Sequence, residues 1–239
     1  MRARKWNRQG LLWVVSAVVV AIVYGASRWE VGAKELRAKL RSAGLPITPA
    51  TYDPRELEGL PPPVQRYFRA ALTAGQSIVA AARVAHEGQF NMGKTQAKWR
   101  PFTSDQLVVT RRPGFDWSTR ICTAPGMNVF AHDAYVAAEG TLHAALFGLI
   151  IRADLHGTPE IAEGELMRFL AEAARYPTAL LPSQGARWEA MDDTRARASL
   201  VDAATTVPLK FRFDAEELIN TVHSAARYRT VNGALVTIP

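Results

Sequence analysis

Apolar residues recur along this chain in three rhythms, and the changes of rhythm mark out its elements. From 9 to 27 the run is uncharged and almost continuously apolar. Nineteen residues of helix rise about 28 Å, close to the roughly 30 Å of bilayer hydrocarbon, so the pattern predicts a membrane-spanning helix. Trp6, Trp13, Tyr24 and Trp29 stand near its ends, where the membrane interface favours aromatic rings. Residues 30–42 continue as a charged helix with a narrow apolar strip of Val31, Leu36 and Leu40, which reads as a solvated stalk. Gly44 and Pro46 end it. Residues 44–63 are rich in Pro and Gly and read as linker, with one helical turn at 53–57. Pro61, Pro62 and Pro63 suit a helix start, where a missing amide hydrogen costs nothing. Val64, Tyr67, Phe68, Ala71 and Leu72 then share one face, and Gly75 stops the helix.

Beyond residue 84 the period shortens to two. Phe115, Trp117, Thr119 and Ile121 alternate with Asp116, Ser118, Arg120 and Cys122, which predicts an antiparallel strand with one wet face. Strands are predicted likewise at 84–92, 106–110, 127–132, 187–191, 195–202, 207–213 and 217–228, with turn signals at Gly93, Pro113-Gly114 and Pro125-Gly126. Trp99, Pro101 and Phe102 read as an aromatic corner. Residues 140–156 fit either period and are read as strand. Between the two strand groups, Leu166, Phe169, Leu170 and Ala173 recur at helical spacing, which predicts an amphipathic helix at 160–175 stopped by Pro177. The apolar run 178–181, held between Pro177 and Pro182, is expected to pack inward. The expected fold class is α+β: an N-terminal transmembrane helix, then a curved, half-barrel-like antiparallel sheet with one packed helix around 160–175. The expected organisation is a basic cytoplasmic N-terminus at 1–8, an anchor at 9–27, stalk and linker at 28–59, and a globular domain at 60–239.

Charge sharpens this picture. The net charge of +7 lies wholly in residues 1–41, which hold nine Lys/Arg and two Asp/Glu; the remainder holds twenty of each. The folded part therefore has no global attraction for phosphate, and no nucleic-acid partner is expected. A cleaved signal peptide is the rival reading of the apolar run, but bulky Tyr24 stands where a cleavage site needs a small residue. Arg2, Arg4, Lys5 and Arg8 precede the span, and Arg28, Lys34, Arg37, Lys39 and Arg41 follow it. The short basic N-terminus is expected to stay inside, which places the chain in the cytoplasmic membrane as a single-pass protein with its domain extracytoplasmic. Cys122 is the only cysteine, so no internal disulfide forms.

Candidate chemistry is sparse. Glu165, Arg168 and Glu172 lie three and four residues apart on one helix face, where side chains meet. They are either a solvated face with surface ion pairs, the commoner case, or a polar cluster pointing into a pocket. Trp117 and Arg120 on the alternating strand join them as candidate ligand-binding residues. His132-Asp133 and Asp192-Asp193 are the other polar clusters; the second reads as a turn cap. The five histidines show no metal-ligand spacing, so neither a metal nor a cofactor is expected. There is no Gly-rich phosphate loop and no Gly-x-Ser-x-Gly elbow, so no catalytic residue is assigned.

Several stretches are similar to an uncharacterised bacterial family of membrane-associated proteins that carries only a domain-of-unknown-function label. They are Leu60-Pro-Pro-Pro-Val-Gln-Arg-Tyr-Phe, Trp99-x-Pro-Phe, Pro113-Gly-Phe-Asp-Trp, Gly164-Glu-Leu-Met-Arg-Phe-Leu-Ala-Glu-Ala and Pro177-Thr-Ala-Leu-Leu-Pro. The resemblance covers most of 60–233 and implies no known activity. Two departures stand out: Arg175 replaces a Trp, and the family continues past the equivalent of Ile238-Pro239, so a shortened C-terminus is expected here. A curved sheet covered by a helix can enclose an apolar cavity, which suggests a lipid or another apolar envelope ligand. The alternatives are an envelope hydrolase built on Glu165, Arg168 and a nearby Asp, or a structural, partner-binding domain.

Overall fold

The computed structural model describes residues 8–93, 95–225, 227–231 and 234–238. Helix α1 (Arg8–Ala43) and helix α2 (Pro62–Ala71) precede six strands: β1 (Ala81–Asn91), β2 (Trp99–Val109), β3 (Gly114–Ala124), β4 (Met127–Val136), β5 (Glu139–Leu146) and β6 (Ile150–His156). Helix α3 (Pro159–Glu172) leads to β7 (Arg187–Asp192), β8 (Arg195–Asp202), β9 (Thr205–Phe213), β10 (Ile219–His223), β11 (Arg227–Val231) and β12 (Ala234–Ile238). The first six strands form an open antiparallel meander in chain order, and β7–β10 form a second one. The architecture is α+β, with α3 packed between the two sheets.

The main core lies where α2, α3 and the apolar run after Pro177 meet the second sheet. Val64, Tyr67 and Phe68 of α2, Leu166, Phe169 and Leu170 of α3, and Leu180 and Leu181 are buried there against Val207, Leu209 and Phe211. The stripe that predicted α3 is thus the stripe that is buried. Thr158 caps the helix by accepting a hydrogen bond from the Ile161 amide, and Pro159 occupies its first turn. After Pro177 the chain advances in short 3-10 turns, pinned where the Trp188 indole Nε1 donates to the Leu180 carbonyl at 2.9 Å.

Helix α1 departs from the expected stalk. It runs unbroken from Arg8 to Ala43, and its second half lies on β2, β3 and β4 of the first sheet. Trp29 is buried rather than held at an interface, stacked on His132 at 4.8 Å and on His143 at 5.3 Å. Leu40 is buried against β2 and β4. Arg37 donates to Asp116 at 2.7 Å and to Asp105 at 2.8 Å. The charged residues of 30–42 therefore include the clamp that fixes the helix to the sheet. The basic segment 1–8 lies, Arg8 apart, outside the described residues. Residues 12–43 make one helix long and apolar enough to cross a membrane, by length and composition.

The strands run longer than their patterns. The expected aromatic corner at Trp99, Pro101 and Phe102 is regular β2, paired along its length with β1. Pro101 sits opposite Gln89, inside a ladder that a proline weakens. Residues 140–156 form two strands split by a turn at Phe147-Gly148, both with positive φ. Residues 217–228 divide into β10 and the start of β11.

At that β5–β6 turn α1 packs tightly against the sheet. A Cβ on Gly25 would lie 2.2 Å from the Phe147 carbonyl oxygen, whereas a Cβ on Gly32 would meet nothing within 4 Å. Helix propensity alone makes Gly→Ala favourable by about 1 kcal/mol. Gly32→Ala is therefore expected to raise the unfolding temperature of the chain by about 2–4 °C, and Gly25→Ala to lower it. Arg37→Met removes a cation from the wholly buried Asp116 and is expected to cost about 3–5 kcal/mol in denaturant unfolding.

A cavity beneath helix α3

Alternation along the strands of the first sheet sends one set of side chains toward α1 and the other toward α3. On β3, Phe115, Trp117 and Ile121 face α3; Asp116 and Arg120 face α1. On β4, His132 faces α1 and Asp133 faces α3. Between the α3 side of the sheet and the helix lies a cavity of about 1050 Å³. Its wall is mostly apolar: Ile121, Val129, Ala131, Leu142, Ala144 and Leu146 from the strands, Met167 and Ala171 from the helix, and Leu209 and Val222 from the second sheet.

Its charged groups are Arg152 of β6 and a cluster around Arg168. Arg168 of α3 reaches across to Asp133 Oδ2 and holds Glu172 Oε1 at 2.9 Å, one helical turn on. Its guanidinium lies 4.9 Å from the Phe115 ring centre and 5.2 Å from that of Trp117. Delocalised charge over aromatic faces is a favourable arrangement that a lysine would not reproduce. Glu172 Oε2 accepts a hydrogen bond from Gln106 Nε2 at 2.6 Å. Asp133 Oδ1 is buried without a hydrogen-bond partner among the described residues. Burial disfavours the charge on Arg168, but Asp133 and Glu172 outweigh it and raise its pKa. Burial likewise pushes Glu172 up, yet the Arg168 charge and the hydrogen bonds from Gln106 and Arg168 leave it below the ordinary glutamate value.

Of the five residues singled out by sequence, Trp117, Arg168 and Glu172 come together in this cavity. Glu165 is buried on the same helix outside the cavity wall, near enough for its charge to favour protonated Arg168. Arg120 lies on the opposite face of the sheet beside Trp29 and Arg37. The helix face is therefore a largely enclosed polar cluster, Glu165 buried and Arg168 and Glu172 half-buried, rather than a solvated one. Sequence reasoning passed over Gln106 and left Asp133 without a role. Asp133 had a signal: it alternates with His132, so the two serve opposite faces. Gln106 had only its place on a strand. Asp192 is the turn cap its position suggested, accepting from Thr194 and Arg195.

A carboxyl poised to donate a proton near neutrality needs a raised pKa, and Glu172 is shifted the other way. Its native value lies below the ordinary glutamate value, so its stabilisation is complete above about pH 4.5 and is lost as pH falls through the native value. Glu172→Gln is expected to flatten the acid limb of stability against pH, measured by urea unfolding between pH 7 and pH 3. Arg168→Leu strands two carboxylates and is expected to cost about 3–5 kcal/mol at neutral pH.

A family model described as a family of unknown function, DUF6920, matches residues 58–239. No curated protein and no solved structure matches the chain.

Proposed function

This chain belongs to the DUF6920 family, and we propose that it binds a lipid or another apolar ligand beneath α3 while α1 anchors it in a membrane, the globular part lying outside the cytoplasm. The observation that carries the reading is the cavity. Its volume of about 1050 Å³ sits at the upper end of the roughly 300–1,000 Å³ of small-molecule sites, and its wall has the same make-up: apolar, with a few convergent polar groups. A domain that only supported its neighbours would fill that space with its own side chains, since interiors are close-packed. The polar cluster at Arg168, Asp133 and Glu172 suits the head of an amphiphile, and the apolar wall suits its tail. The low-lying Glu172 favours binding over acid catalysis. The basic N-terminus supports the orientation.

Full-length protein purified in a mild detergent is expected to carry non-covalent adducts in native mass spectrometry that organic extraction releases. Ala144→Trp, which fills the middle of the cavity, is expected to cut adduct occupancy about tenfold, equivalent to about 1.4 kcal/mol, with unchanged far-UV circular dichroism. Wild-type protein that stays free of adducts after incubation with a total lipid extract would remove the ligand reading. A reporter fused after Pro239 that works only in the cytoplasm would reverse the orientation.

A further inference from the structure

Helix α1 crosses the sheet along a definite line. Gly25 lies at the β5–β6 turn, Trp29 over the middle of β4 and β5, Arg37 over β2 and β3, and Leu40 at the start of β3. Everything N-terminal to Gly25 therefore projects beyond one end of the sheet, the end formed by the β1–β2, β3–β4 and β5–β6 hairpin tips. The uncharged run begins at Gln9, so only residues 9–24 are clear of the domain. Sixteen residues rise about 24 Å, short of the roughly 30 Å of bilayer hydrocarbon.

The tips have the surface that would make up the difference. Most of the exposed large apolar side chains outside α1 gather there: Ile151 at 60%, Trp99 at 58%, Ile150 at 52%, with Met127, Leu149 and Met92. Leu45, Met191, Val201 and Leu218 lie scattered elsewhere. Arg28, Lys98 and Arg152 are exposed beside the cluster, the mixture of basic and aromatic side chains that a lipid headgroup layer favours. The cavity lining reaches Met92 and Met127 at the same end.

We infer that the hairpin tips are a membrane-contact surface: they enter the outer layer of the bilayer that α1 spans, so the cavity opens onto lipid rather than onto water. The occupant of the surface is a lipid bilayer, because the apolar cluster is continuous with the helix that enters it. This rests on the anchoring part of the proposal above and is independent of what the cavity holds.

The test uses the full chain carrying Cys122→Ala and one further cysteine, labelled with an environment-sensitive fluorophore. It is reconstituted into vesicles of three parts phosphatidylcholine to one part phosphatidylglycerol, containing nitroxide-labelled lipid. Labels at Val18→Cys, Ile151→Cys and Met127→Cys are expected to be quenched strongly, and one at Val201→Cys, on the second sheet, to be unaffected. Quenching at 18 alone would overturn the contact surface and leave the anchor standing. No quenching at 18 would overturn both. The double variant Ile150→Lys, Ile151→Lys gives a second readout: the depth of a label at Thr123→Cys is expected to shift toward water, and an unchanged depth counts against the inference.

Discussion

The side chain of Asp116 is wholly buried, and it holds Arg37 of α1 with one oxygen and His132 of β4 with the other. An ion pair that deep survives only if its geometry and remaining hydrogen bonds compensate for lost hydration. Here they do: Arg37 also binds Asp105, whose carboxyl is held at about 2 by hydrogen bonds from Arg83 and Arg37, and His132 is covered by the Trp29 ring. This knot joins the N-terminal helix to the sheet. It makes the helix part of the fold, covering the middle of one face of the sheet.

With α1 held on that face, the other does different work. A sheet of six strands, open at both edges, would ordinarily bury its second face by direct packing. The second sheet and α3 cover it only in part. Phe115 and Tyr135 join the common core at one end, and small residues such as Ala131 and Ala144 keep the other end hollow. Arg168 stands where the filled part meets the hollow part. It is placed by α3, its charge is balanced by Asp133 and Glu172, and its guanidinium lies over two aromatic rings.

Much of this was legible in advance, and the boundary of legibility has a physical cause. Period-two alternation over 115–123 and helical spacing over 166–173 each report burial on one side, which is a local property of the chain. The stripe Leu166, Phe169 and Leu170 therefore found its core. Burial on a second side is decided by which element arrives from elsewhere. Residues 30–42 look solvated because Arg37 is charged and the apolar strip is narrow; nothing nearby in the chain announces that Asp105 and Asp116 will meet it. The same holds for Glu165, Arg168 and Glu172, which are spaced like surface ion pairs yet are buried or half-buried. Arg120 failed to join Trp117 for a reason the alternation itself contained, since three residues along a strand reverse the face.

The unbroken course of α1 carries one more consequence. A helix with no hinge between an apolar half and a docked half makes the domain a rigid outrigger. Strands β1 to β3 have eleven residues each, so their far ends stand about 36 Å from the hairpin tips, and a 10° change of helix tilt sweeps those ends through about 6 Å. Were α1 to span a membrane as proposed, any tilt of it would pass undiminished to the far ends of the strands.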